Sequence, residues 1–176
     1  MSRAIAQAID FPRTTAIDQA FVARAFYKDA YSIALQRPDA SPVELFDAIF
    51  GHRPAWMKAV MLCRNWLAAR AGLEVPAAED LLRPKSQQHY EVGNQIGPWP
   101  IYALNPLELI AGRDNKHLDF RLSVLRETNA GQAMVIVSTV CVVNNAFGKR
   151  YLWLILPFHR WGLRWLMTSA AAKGRL

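Results

Sequence analysis

Residues 147–172 read FGKRYLWLILPFHRWGLRWLMTSAAA, and this stretch decides the fold. Its apolar side chains show no strand-like alternation and run too long for a loop, so they predict one long helix. Pro157, His159, Arg160 and Arg164 interrupt it well before the roughly 20 apolar residues that a membrane span requires. A helix packed against protein is therefore expected. Arg160, Arg164 and Thr168 fall on one stripe, and Phe158, Trp161, Leu163, Trp165 and Leu166 cover most of the remainder. Gly162 lies inside that apolar arc, where a missing side chain predicts the closest approach to a sheet. Pro157 predicts a bend, and His159 lies between the two on the inward side.

Upstream of the helix come four strand candidates, 99–103, 107–112, 117–127 and 132–144, with a hairpin turn at 128–131 and Asn105-Pro106 separating the first two. Residues 29–35 (DAYSIAL) alternate loosely and predict an earlier strand. Two helices lie between. Ser41-Pro42-Val43-Glu44 has the form of a capping box with Pro at the first helical position, and Gly51 is expected to end that helix in a left-handed conformation. Pro54 opens the second, in which Trp56, Val60, Cys63 and Leu67 recur at helical spacing up to Gly72. Residues 74–97 read as irregular, and residues 1–26 as a partly ordered lead-in. The order is strand, two helices, antiparallel strands, long helix. A meander has one concave face, which a single long helix can cover while two short helices plug one end. The expected fold is α+β: a helix-grip, with an antiparallel sheet wrapped around a long C-terminal helix. We expect one domain over residues 1–176, with its core at 27–172.

A chain of 176 residues with 52% hydrophobic content can bury a core and is not disordered. Six Trp and eight Phe suggest a bulky core or an aromatic-lined cavity. The two cysteines, Cys63 and Cys141, have no CxxC spacing and sit among apolar residues, which predicts buried, unreactive thiols rather than disulfides or nucleophiles. Residues 1–9 contain no apolar run, so no secretory leader is expected and the reading is cytoplasmic. The net charge of +7 is lopsided: after Glu127 there is no Asp or Glu, while Lys149, Arg150, Arg160, Arg164, Lys173 and Arg175 follow. That asymmetry suits an anionic ligand, an anionic membrane surface or an acidic partner, or simply a wet basic face. The bases are interleaved with large apolar residues on one helix and no recognition motif appears, so nucleic acid is not an expected partner.

His117, Asp119, Arg121 and Ser123 share one face of a strand, and Leu118, Phe120, Leu122 and Val124 the other. The polar stripe reads either as a solvated sheet face with cross-strand pairs, or as a cavity wall. On the second reading Arg121 binds an acidic ligand bidentately and Asp119 orients His117. His159 is the third candidate, able to meet that stripe across a pocket or to rest in the core. His117, Asp119 and His159 are the catalytic candidates. Spacing supplies no third metal ligand, so neither metal nor cofactor is expected. Asp114 and Asn115 read as turn residues. Arg64 reads as a clamp onto Glu108, Asp114 or Asp119. Trp99, Tyr102, Tyr151, Trp153, Trp161 and Trp165 are the candidate cavity lining.

Three segments carry a resemblance: 56–73 (WMKAVMLCRNWLAARAGL), 108–124 (ELIAGRDNKHLDFRLSV) and 148–167 (GKRYLWLILPFHRWGLRWLM). Together, with the HLDFR string and the YxxxxxPFHR pattern, they resemble the domain-of-unknown-function family numbered 2867 over residues 29–172. The resemblance implies a START-like helix-grip fold but no established reaction. Related domains occur fused to nucleotide-binding oxidoreductases, yet no GxGxxG-type loop is present here, so no dinucleotide site is inferred. The expected function is binding of a small hydrophobic or amphipathic molecule between the last helix and the sheet. Acid–base catalysis on a small polyketide-like substrate is the first alternative. Docking of the basic C-terminal face on a partner or membrane surface is the second.

Overall fold

The computed structural model describes residues 4–52, 54, 57, 62 and 89–176. Among these residues, seven strands form one antiparallel sheet: β1 (Gln7–Ala8), β2 (Tyr27–Ala34), β3 (Gln95–Ile96), β4 (Trp99–Leu104), β5 (Glu108–Arg113), β6 (Leu118–Asn129) and β7 (Gln132–Val143). They lie in the order β1-β2-β7-β6-β5-β4-β3. The meander β3 to β7 thus closes on β2, the strand that precedes it by a long connection. A short helix α1 (Gln19–Ala23) precedes β2, and α2 (Pro42–Phe46) follows it and runs into a π-turn, Asp47–Gly51. The long helix α3 (Ala146–Ala172) completes the chain. This is the helix-grip expected from the element order. The helix expected from Pro54 lies, but for residues 54, 57 and 62, outside the described residues.

Strand alternation divides the sheet into two faces. Tyr27, Asp29, Tyr31 and Ile33 of β2 lie opposite Cys141, Thr139, Val137 and Val135 of β7. Those in turn meet Phe120, Leu122, Val124 and Arg126 of β6. This inner face packs Ile33, Leu122, Val124, Val135 and Val137 against Leu163, Leu166 and Met167 of α3, with Leu45 and Ile49 filling one end. The opposite, outer face carries Ile110, Val140 and Val142, which pack against Ile17 and Phe21.

The amino-terminal segment, read from sequence as a lead-in, wraps the edge of the sheet. Ala6 is buried in the inner core, and its N–H donates to Thr168 Oγ1 of α3 at 3.1 Å. β1 then pairs with β2, which protects that edge from pairing with another chain. The segment crosses to the outer face, where α1 starts at Asp18, whose carboxylate accepts from the Ala20 N–H.

The capping box at α2 forms as its sequence requires, with the Glu44 N–H donating to Ser41 Oγ and Glu44 reaching back to the Ser41 N–H. Gly51 ends the turn without a left-handed φ. It is needed because a Cβ there would collide with the Asp47 carboxylate.

The close approach of α3 also differs from expectation. A Cβ on Gly162 would meet nothing within 4 Å, whereas one on Gly148 would collide with the His117 carbonyl oxygen. The helix touches the sheet most tightly at its first turn, because the chain turns directly from β7 into α3 there. Asn145 caps that turn by accepting from the Gly148 N–H at 3.0 Å. α3 runs on through Pro157, and no helix among the described residues is long and apolar enough to cross a membrane.

Candidate functional site

The strand alternation that buries Tyr31 and Ile33 also turns Tyr27 and Asp29 towards α3. A carboxylate on the inner face must find partners, because an ionised group without them is costly to desolvate. Asp29 finds them incompletely. Its Oδ2 accepts from the Tyr27 hydroxyl at 2.5 Å and lies 3.4 Å from His159 Nε2 of α3. The Asp29 and His159 side chains are only 12% and 27% exposed. Arg160 Nε donates to the Tyr27 hydroxyl oxygen at 3.1 Å, and its guanidinium lies 5.2 Å from the centre of that ring. A directed chain results: Arg160 to Tyr27 to Asp29.

Burial, and next the hydrogen bond to Asp29, hold the Tyr27 phenol well above its ordinary range. It therefore stays a donor to Asp29. Burial likewise raises the Tyr31 phenol, with Asp29 adding to the effect.

Three buried polar atoms gather here with no hydrogen-bond partner among the described residues: Asp29 Oδ1, Thr139 Oγ1 and His159 Nε2. Asp29 and Thr139 are register partners on adjacent strands. Beside them lies an apolar group of Tyr27, Leu118, Cys141 and Leu152. Burial, with a contribution from Asp29, pushes the Cys141 thiol up to about 12, so it is an apolar wall and not a nucleophile.

The stripe read from β6 faces the other way. Arg121 donates to both Asp114 oxygens, at 2.5 and 3.0 Å, and its guanidinium is sandwiched between the rings of Tyr102 (3.6 Å) and Phe21 (4.6 Å). Its fork is filled from within the chain, and that bond holds the Asp114 carboxyl below its usual range. Asp119 Oδ1 accepts from the Asn115 N–H at 2.9 Å, and Asn115 Oδ1 accepts from the His117 and Leu118 N–H groups. The His117 ring meets the Asn145 amide at 2.9 Å and packs on Phe147, 5.0 Å between centres. The HLDFR string is thus a corner that holds the start of β6 against the start of α3. His117 and Asp119 are not brought to His159. Arg64 lies outside the described residues. No group of three or more His, Cys, Asp or Glu is placed to hold a metal among the described residues.

The six aromatic candidates separate. Trp99 packs edge-on to Phe46, Phe50 and Phe120, and Trp165 packs on the inner core. Tyr151 flanks the Tyr27–Cys141 group. Tyr102 is on the outer face with Arg121, while Trp153 and Trp161 are exposed on α3. Two grooves open elsewhere on the surface, of about 520 Å³ at the outer base of the β6–β7 hairpin and about 440 Å³ at the β7–α3 corner. Neither is lined by Asp29, Thr139 or His159.

Sequence reasoning singled out His159 but missed Asp29, Tyr27 and Thr139. One signal was available: Tyr27, Asp29, Tyr31 and Ile33 alternate, so the strand that buries two tyrosines and an isoleucine must bury the aspartate too.

A family model described as a protein of unknown function, DUF2867, matches residues 21–165. No curated protein and no solved structure matches the chain.

Proposed function

The chain belongs to the DUF2867 family, and from that premise we propose that it binds a small amphipathic molecule between α3 and the inner face of the sheet. One observation carries this: the convergence of Asp29 Oδ1, Thr139 Oγ1 and His159 Nε2, all buried and all without a hydrogen-bond partner among the described residues, although His159 Nε2 stands at ion-pair distance from the other Asp29 oxygen. An unsatisfied buried polar atom costs about 1–3 kcal/mol, and more when charged, so three in one place call for a reason beyond packing. A ligand that supplies the missing bonds recovers that cost as affinity.

The chemistry of the three atoms selects the ligand's polar end. A carboxylate at Asp29 can only accept, Tyr27 is committed to its other oxygen, and Thr139 can donate or accept. The end that fits is a hydroxyl or an amine. A carboxylate would face Asp29 and be repelled. The apolar body would lie along Leu118, Cys141 and Leu152. The three atoms themselves are shielded from solvent, so a ligand reaches them by a shift of the α3 side chains that cover them.

Native mass spectrometry of the full chain purified from its own host tests this. A small bound mass is expected on the unsubstituted protein, lost in Asp29→Asn and Thr139→Val and kept in Tyr102→Phe on the outer face. A protein without bound mass, or one whose Asp29→Asn variant keeps it, sinks the reading.

The Asp29–His159 contact favours a second reading, in which the same site performs acid–base chemistry, with His159 moving a proton and Asp29 orienting its ring. It requires the molecule recovered from the His159→Gln variant to differ covalently from that on the unsubstituted protein. Identical molecules would leave a binding site alone.

A further inference from the structure

The outward face of α3 supports an inference independent of the ligand site. Trp153, Leu154 and Phe158 are 74%, 64% and 68% exposed. Arg150, Leu154 and Phe158 follow one another at four-residue spacing, and Trp153, Pro157, Arg160 and Arg164 form the adjoining column, so the two make one continuous surface. At the start of the helix the surface continues through exposed Phe147, with Lys149 placed over the exposed ring of Phe26 at 5.2 Å. Lys149, Arg150 and Arg164 meet no carboxylate at ion-pair distance among the described residues.

We propose that this face docks on an anionic phospholipid bilayer, with α3 lying along the surface. Bulky aromatic and aliphatic side chains flanked by Arg and Lys are the composition that settles at the boundary of headgroups and acyl chains. No Asp or Glu follows Glu127, so nothing on this helix repels an anionic leaflet. Two alternatives fit less well. A second copy laid on the same face would bring Arg150, Arg160 and Arg164 against their own equivalents. A purely electrostatic partner would leave Trp153, Leu154 and Phe158 in water. α3 cannot span the bilayer, so it lies on the surface rather than through it.

Flotation of the full chain with vesicles provides the test. Binding to phosphatidylcholine mixed with phosphatidylglycerol is expected, with little binding to phosphatidylcholine alone and release by salt. Arg150→Glu with Arg164→Glu should weaken it about tenfold or more, and Trp153→Ser with Phe158→Ser should do the same at any ionic strength. Circular dichroism of these surface variants should match the unsubstituted protein. No flotation with the mixed vesicles overturns the proposal, as does flotation that both double variants leave unchanged. Self-association that disappears in Trp153→Ser with Phe158→Ser, without lipid binding, assigns the face to a second copy and also overturns it.

Discussion

Glu108, buried on the outer face, and Asp29, largely covered on the inner face, are carboxylates on strands of the same sheet in opposite circumstances. Glu108, 2% exposed, accepts from the Thr15 hydroxyl at 2.5 Å, from the Ala16 N–H at 2.6 Å and from the Ser123 hydroxyl. Both of its oxygens are used, and the bonds tie the amino-terminal segment across β5 and β6. Among the described residues, the Ser138 hydroxyl is left without a hydrogen-bond partner on that face. Asp29 has one oxygen bonded and one without a hydrogen-bond partner, beside two further buried atoms, Thr139 Oγ1 and His159 Nε2, that also lack one among the described residues. The outer carboxylate is a fastener, since removing it strands three donors. The inner one is incompletely used by the fold, which is the condition a binding site requires.

The sharpest way to break that comparison is to truncate each carboxylate. Glu108→Ala should cost about 3 kcal/mol or more in urea denaturation, because the two hydroxyls and the Ala16 N–H remain buried without their acceptor. Asp29→Asn should cost less than about 1 kcal/mol, since it removes a charge that is only partly compensated. Equal losses at the two positions would dissolve the distinction.

Gly148→Ala lies between them, at about 2 kcal/mol, because its new Cβ meets a backbone carbonyl that cannot move without shifting β6. Gly162→Ala should be neutral or mildly stabilising, since nothing opposes the methyl and helix propensity favours it. Thermal unfolding of the pair separates the two ends of α3.

The faces should also fail at opposite ends of the pH scale. Arg121 lowers Asp114, so the stability from that pair is present above about pH 4 and is lost as pH falls through the lower folded value. The Tyr27 phenol is raised, so its contribution is intact below about pH 10 and is lost as pH rises towards its folded value. Asp114→Asn should flatten the acid limb of a stability–pH curve and Tyr27→Phe the alkaline limb. Crossed effects would contradict the assignment.

The smallest effect belongs to neither face. Ala130 and Gly131 form the two-residue β6–β7 turn with φ of 47° and 81°. Ala130→Gly relieves a left-handed alanine and should raise stability by about 0.5–1 kcal/mol in the same denaturation measurement.

Much of this was legible in the residues because it is local. Alternation in 117–127 and 132–144 assigns each side chain to a face, and Ser41 to Glu44 announces a helix start, because a strand's period and a cap need only neighbours in the chain. The length and apolarity of 147–172 were enough to predict the long helix and hence the grip. Partner choice was not legible. His159 was read against His117 and Asp119, yet it meets Asp29 because β2, far away in sequence, lies beside β7 under the helix. Arg121 looked free to hold an anion until Asp114 and two rings from separate segments closed around it.

The long helix quoted at the outset shows the division most plainly. The sequence by itself determined that residues 147–172 are helical and not apolar enough over their length to cross a bilayer, since spacing and charge along one segment settle both. Only the tertiary structure decided that Gly148, not Gly162, is the contact point, that Trp153 and Phe158 look outward, and that His159, already read as inward, meets Asp29. Helical periodicity names the faces of a helix. Which face meets the sheet, and at what height, depends on where the chain leaves β7, and that is set by the whole meander.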